Sequence, residues 1–515
     1  MGAGTPAGVQ THVLSLRAAF EGNSGIATID ASNAFNTVSR PKILQEYISR
    51  CPGRSHLMAL LMGPSLALYS YNDGERNVRE AIPVTTGVRQ GCRTGADGYC
   101  TAIAGILEEL DKVFNQEGVL VKAATDDILC RHPSNKNAHE WAKFFKRVKA
   151  INDQVKAAME ECGPRINEDK GRLLIPKSAP PPPLALFPPN YVVHGLVILG
   201  TPIGDQEYVL AHAMSLLQDY QDRADAITRV SATNPLLAMN LLTQHNLRFR
   251  YFYSVTPPDL LGPFIAACDA IIQKASLRIR YCDATPPPID QKHLEMVHKI
   301  DTLPSRLGGK GLTPHTIQAP VSWLSTQAQV SEALPLEDQQ ILMVHTSEAV
   351  KMLRELYPSN LPIHAKFCRL LPSDDESLRN GTFFAKMQSA ATTRKLSRPL
   401  SQCLLEAQRL DLRICFRSLE PALALKLSAA TGRNQMGRLV TNPNVCGAIS
   451  QKSPEAIAAY WRFTSGMPEQ SRQCEEPSCR VVSRIVDQFG MHAGSMRCPS
   501  TMGPKHSVHD TVNNV

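Results

Sequence analysis

The sequence predicts an α+β fold with a small terminal appendage, on three observations. Residues 1–175 alternate short apolar strands with helical patterns. A proline-rich break, "PKSAPPPPLALFPPN", occupies 176–190. From about 207 to 465 the pattern is almost wholly helical, and from 470 the chain turns polar and rich in Cys and His.

Each element has its own signal. "GIATID" (25–30) is a short apolar run and reads as a strand ended by Asp30. "RPKILQEYISRC" (40–51) reads as a helix, opened by Pro41 in its first turn. "ADGYCTAIAGILEELDKVF" (96–114) carries apolar residues at helical spacing. "GVLVKAATDDILC" (118–130) reads as a hairpin, and 137–163 as a long amphipathic helix stopped by Gly163-Pro164. Four consecutive prolines then favour a stiff connector. "YVVHGLVILGTPIGD" (191–205) returns to strand, and proline-bearing turns near 257, 286, 304 and 358 punctuate the helical stretch. We find no internal repeat.

With 515 residues, 43% of them apolar and 20% charged, the composition is that of a globular chain of about two to four domains. A net charge of +8 permits a polyanionic partner without demanding one. The N-terminus lacks the basic and apolar regions of a secretory signal, and the apolar stretch 57–69 is broken by Gly63-Pro64. The expectation is a protein of the nucleus or cytoplasm, neither secreted nor membrane-bound, whose 14 Cys are free thiols or metal ligands.

Asp126 and Asp127 stand side by side between apolar runs, and Asp30 stands at a strand end. Alone, such residues read as turn formers. Three carboxylates on strand ends are stable together when divalent cations neutralise them, and hard oxygen donors on a rigid sheet suit Mg²⁺. Two such ions can activate an attacking oxygen and stabilise a leaving one in phosphoryl transfer.

In order along the chain stand "IDASNAFNTVSR" (29–40), "GVRQGC" (87–92), "ATDD" (124–127), "INEDKGRLL" (166–174) and "LVILGTPIG" (196–204). This series resembles motifs A, B, C and D of the reverse transcriptases, and then the Leu-Gly-x-Pro-Ile-Gly segment of non-LTR retrotransposon enzymes. The resemblance spans about 175 residues. It implies a right-hand polymerase palm, an antiparallel sheet packed with helices, over 1–206 with partial fingers. It implies a helical thumb over 207–330 and a helical linker over 331–468. Asp30, Asp126 and Asp127 would bind two Mg²⁺ ions. Phe35 would be a steric gate against a ribose 2′-OH. Arg89, Gln90 and Gly91 would line the nucleotide and template pocket. Lys170 would sit by the departing pyrophosphate; the plain alternatives are a core aromatic for Phe35 and a solvated helix-end lysine for Lys170. The implied substrates are an RNA template, a DNA primer or target and dNTPs.

The sequence departs from the family where motif B continues Cys92-Arg93-Thr94-Gly95 instead of Asp-Pro-Leu-Ser-Pro, and where Thr125 replaces a common Ala. Motif A arrives at residue 30, so the expectation is a chain short of its fingers. Two readings stand: a polymerase working by target-primed synthesis, or an inactive retroelement remnant that only binds RNA or DNA. An RNA virus polymerase fits less well, because Asn33 and Phe35 occupy the stretch where a ribose-reading Asp is usual.

Downstream, Arg248, Arg250, Tyr251 and Tyr253 interleave charge with aromatics, as nucleic-acid surfaces do, although a buried amphipathic helix has the same pattern. "LPSRLGGKGL" (303–312) resembles a Gly-rich segment of the same retroelements and suits a tight turn. In the tail over 469–515, Cys474, Cys479, His492 and Cys498 form a set that suits tetrahedral Zn²⁺, with free thiols as the alternative. This zinc-knuckle-like segment resembles the one preceding the restriction-like endonuclease of site-specific non-LTR elements, whose catalytic core would follow beyond Val515.

Overall fold

The structure, a computed structural model, describes residues 7–356 except 64, 73–76, 89–93, 125–126, 135–136, 184, 189, 287, 290 and 304–308; beyond these it describes the strands Arg472–Gln473 and Ile485–Val486, which pair with each other. The described residues divide into two compact units, one of 7–209 with Glu332–Leu342, the other of Leu210–Ser331 with the residues from Met343.

In the first unit the chain runs α1 (Gly8–Glu21), β1 (Ser24–Ser32), α2 (Ala34–Thr37), α3 (Arg40–Arg50), α4 (Pro52–Met62), β2 (Ser65–Asn72), β3 (Asn77–Val84) and α5 (Gly95–Asn115). It continues through β4 (Leu120–Ala124), β5 (Asp127–Ser134), α6 (Ala138–Glu161), β6 (Arg165–Leu174), β7 (Val192–Val193), β8 (Gly195–Ile198) and β9 (Thr201–Gly204). The main sheet has the order β4-β5-β1-β6-β7, antiparallel except for the β6–β7 pair. β2 with β3 and β8 with β9 form separate hairpins.

Alternation along β1 sorts its side chains to two faces. Ala27, Ile29 and Ala31 are buried with Ile128 and Cys130 of β5 in one core with α5 and α6. There Tyr99, Ile103 and Leu107 of α5 meet Trp141, Phe144, Phe145 and Val148 of α6, and the three aromatics of α6 pack edge to face or tilted. Burial of the Cys130 thiol pushes it up to about 12, so it is an inert core group. Thr28, Asp30 and Ser32 point to the other face and remain half-buried.

α1 is buried along nine consecutive residues, His12 to Phe20. Its Arg17 donates through Nη2 to the carbonyl of Pro202 in β9, 2.8 Å away. The carboxylate of Asp338, in Glu332–Leu342, accepts both guanidinium nitrogens of Arg131 on β5, at 2.5 and 2.6 Å, and the Ser15 hydroxyl of α1 at 3.0 Å. A stretch of sequence far downstream thereby belongs to the first unit.

Two histidines of this unit are buried as neutral rings. Burial lowers His132 to about 3 and His12 to about 4, and among the described residues His12 Nε2 and both His132 nitrogens lack a hydrogen-bond partner. A depressed folded pKa means that only the unfolded chain takes the proton below its ordinary value near 6.5. Stability is therefore intact above pH 6.5 and falls as pH drops towards 4 and 3, by about 2 kcal/mol per histidine at pH 5. The urea midpoint should fall from pH 7 to pH 5, and fall less in His132→Leu; equal falls would refute the assignment.

Apart from the short strands Arg472–Gln473 and Ile485–Val486, the second unit is helical in its described part. α7 (Gln206–Ser215), which begins in the first unit, leads into α8 (Leu217–Val230), α9 (Pro235–His245), α10 (Arg250–Val255), α11 (Gly262–Arg280), α12 (Gln291–Thr302) and α13 (His315–Val330); α14 (Leu336–Glu355) has its first turns in the first unit and the rest, from Met343, in the second. The His315 ring bridges two phenols, Nε2 3.0 Å from the Tyr220 hydroxyl and Nδ1 2.9 Å from that of Tyr253. Asp269 caps α13 by accepting the backbone N–H groups of His315 and Thr316.

This core corrects the surface reading of the Arg/Tyr series. Tyr253 is fully buried, and its hydroxyl is used by His315. Arg248 pairs with Asp219 at 2.6 Å; Arg250 and Tyr251 remain exposed. The Pro258–Arg280 stretch is long and apolar enough to cross a membrane by length and composition alone. In this fold Phe264, Ile265, Cys268 and Ile272 of that stretch are core residues, with α11 packed on α8, α9 and α13.

Candidate active site

β1 and β5 pair so that Asp30 lies directly opposite Asp127. Like charges facing each other across a strand pair repel, and Asp127 is half-buried. Asp30 is 22% exposed, but its Oδ2 is sealed from solvent and accepts no hydrogen bond among the described residues. A buried carboxylate oxygen without a donor is costly unless a cation approaches it.

One cation does approach. Lys170 Nζ lies 3.4 Å from Asp30 Oδ2, an ion pair without hydrogen-bond geometry. The route it takes is visible in the register of β1 with β6. Thr28 pairs with Arg172 and Asp30 with Asn167, so two steps of β1 are matched by five of β6. The surplus residues bulge, as strands do where a side chain must be re-aimed beside a site. Lys170 is on this strand, so the helix-end alternative is corrected: the lysine sits on a bulge.

Phe35 follows β1 at a sharp turn. Asn33 takes φ 50°, a left-handed conformation that Asn tolerates better than most residues, and α2 starts at Ala34. β1 itself runs two residues past Asp30, to Ser32. The Phe35 ring is half-buried, with its centroid 5.1 Å from that of Tyr99.

The Phe35 turn is clamped to the segment that leads into the Arg89-Gln90-Gly91 motif. Val88 N–H donates to the Phe35 carbonyl at 2.6 Å and Gly87 N–H to that of Val38 at 3.0 Å. The Thr86 hydroxyl donates to the Asn36 carbonyl at 3.1 Å. Arg40, nearly buried, donates through Nε to the Gly87 carbonyl and through Nη1 to those of Met62 and Gly63. Sequence reasoning attached no role to Gly87 or Arg40. The only signal available was that Gly87 opens the "GVRQGC" run.

Gly87 has φ +69°, and a Cβ there would lie 2.3 Å from the Asn36 carbonyl oxygen, a backbone atom that cannot swing away. Gly87→Ala should therefore cost about 2–3 kcal/mol, through a left-handed backbone and a clash. A lowered melting midpoint of the first unit is the expected reading, and an unchanged one would overturn the clamp.

Of the residues singled out by sequence, the structure brings together Asp30, Asp127 and Lys170. Phe35 lies three residues beyond the end of β1, in the turn that follows. Asp126, Arg89, Gln90, Gly91 and the tail set Cys474, Cys479, His492 and Cys498 lie outside the described residues. Among the described residues no three His, Cys, Asp or Glu side chains cluster as a metal site. The described donors nevertheless suit a hard divalent cation, since Asp30 and Asp127 supply oxygen only and Asp30 holds a sealed, unbonded oxygen.

Residues 4–203 match the family model described as "Reverse transcriptase (RNA-dependent DNA polymerase)". No curated protein matches the chain. A solved structure of telomerase from Candida albicans, in complex with a TWJ fragment of telomeric RNA, is similar at 8% identity with a TM-score of 0.31. The similarity covers 72% of this chain and 55% of that one, so the chain spans about half the length of that protein.

Proposed function

We infer from the match of residues 4–203 to the reverse transcriptase family model that this part of the chain is an RNA-directed DNA polymerase domain, of a kind that generally uses divalent metal ions. From that premise we propose that it copies RNA into DNA for a non-LTR retrotransposon, by target-primed synthesis and two-metal nucleotidyl transfer. The observation that carries the site reading is the Asp30–Asp127 pair facing across β1 and β5, with one sealed, unbonded carboxylate oxygen.

Asp30 and Asp126 would hold two Mg²⁺ ions, with Asp127 beside them. When bound, these ions would activate the attacking hydroxyl and offset charge on the departing pyrophosphate. The primer 3′-OH attacks the α-phosphate of a dNTP in line; the new phosphodiester forms as the bond to pyrophosphate breaks. Phe35, held by Tyr99 and by Val88, leaves no room for a 2′-OH. Arg89, Gln90 and Gly91 would line the nucleotide and template pocket. Lys170 offsets negative charge or donates a proton as pyrophosphate departs. The helices from 207 would serve as thumb and linker against the primer–template duplex. Cys474, Cys479, His492 and Cys498 would hold Zn²⁺. The protein would work in the nucleus or the cytoplasm.

Primer extension on an RNA template with Mg²⁺ and dNTPs tests the reading, comparing wild type with Asp126→Asn/Asp127→Asn. Extension by the wild type alone is expected. Extension by neither, with salt-dependent RNA binding retained, would favour an inert binding remnant.

A further inference from the structure

Lys170 is 67% exposed and ends a flexible four-carbon stem, yet its ammonium stands beside the sealed Asp30 oxygen. The ion pair makes no hydrogen bond, so little directional bonding would be lost on release. Across the strand pair stands a second carboxylate, Asp127. The chain thus places an exposed monovalent cation at the Asp30 oxygen, where a hard divalent cation would also bind.

We propose that Lys170 is an exchangeable counter-ion: its ammonium neutralises Asp30 in the metal-free protein, and a divalent cation entering at Asp30 displaces it. The inference rests on the metal reading above and adds a competition to it. Two consequences follow from the geometry. Divalent binding is weakened by the contact it must break. Loading of the site also releases the Lys170 amine on its bulge beside the carboxylates, so the amine becomes available for the departing pyrophosphate only once the site is filled.

Direct Mn²⁺ binding to the full chain, read from the free-ion electron paramagnetic resonance signal, tests this without any turnover. Wild type, Lys170→Met, Lys170→Arg and Asp30→Asn are compared at low salt, and Asp30→Asn supplies the background of other sites. Lys170→Met should bind Mn²⁺ about threefold to fivefold more tightly than wild type, the scale of an exposed ion pair. The gap should narrow in high salt. Lys170→Arg, which keeps the charge, should stay near wild type. Affinity in Lys170→Met equal to or weaker than wild type would overturn the exchange while leaving the metal reading standing. Undiminished Mn²⁺ binding by Asp30→Asn would overturn the metal reading, and the exchange with it.

Discussion

Asp30→Asn should abolish nucleotide incorporation while leaving the first unit about as stable as the wild type. An amide keeps the size of the carboxylate but loses the charge that a divalent cation needs. The expected loss is on the order of 10³-fold, about 4 kcal/mol of transition-state stabilisation. Stability moves little because two small terms oppose each other. The variant gives up the Lys170 contact, which is worth at most about 1 kcal/mol at a residue that is 67% exposed. It also removes the repulsion with Asp127 directly opposite, a term of about the same size. Primer extension beside a thermal melt checks both halves. Incorporation at wild-type rate would sink the role of Asp30. A large fall in melting midpoint would show instead that the carboxylate supports the fold.

This pairing of outcomes separates a site residue from a structural one. A core side chain such as Phe144 can be truncated only at a cost in stability, because its ring is buried among Trp141, Phe145 and His132. Among the described residues Asp30 has the opposite profile: a sealed oxygen with no hydrogen bond, a carboxylate opposite, and an exposed lysine beside it. Such a residue contributes little to the fold, so the arrangement makes sense as pre-organisation for a ligand.

Much of this was legible in sequence where the signal is local. The strand at Asp30, the helices opened by Pro41 and stopped near Gly163, and the hairpin around Asp126-Asp127 all rest on short-range periodicity and breakers. α3 and α6 begin within a residue of their expected starts and stop one or two residues before their expected ends. What was not legible depends on partners distant in sequence. The bulge that carries Lys170 exists only as a mismatch between β6 and β1, and no feature of "INEDKGRLL" reports it. Tyr253 sits in a stretch of alternating charge and aromatics that suggests a surface, yet its hydroxyl is bonded to His315, 62 residues away. The Gly87 clamp likewise requires the Asn36 backbone, 50 residues upstream of Thr86.

The carboxylate of Asp338 is the extreme case, bonded to Arg131 across 207 residues and to Ser15 across 323, and it leads to the second large expected effect. Asp338→Ala should destabilise the first unit by about 3 kcal/mol. Asp338 has no exposed side-chain surface, and its carboxylate accepts both nitrogens of the Arg131 guanidinium and the Ser15 hydroxyl. Truncation removes the counter-charge of a guanidinium that is only 18% exposed and keeps a bond to the Ser15 hydroxyl, which itself loses its acceptor. Partial access of Arg131 to water places the cost at the lower end of the range for broken buried pairs. Arg131 lies four residues along β5 from Asp127, on the same face, so its anchoring also steadies the strand that carries the site. Asp338→Asn, which can still accept hydrogen bonds, should recover part of the loss. Urea unfolding of the three proteins decides the point. Equal midpoints would mean that Glu332–Leu342 contributes nothing to the first unit. A graded fall, smaller for Asn than for Ala, would make this distant segment an integral part of the first unit's foundation.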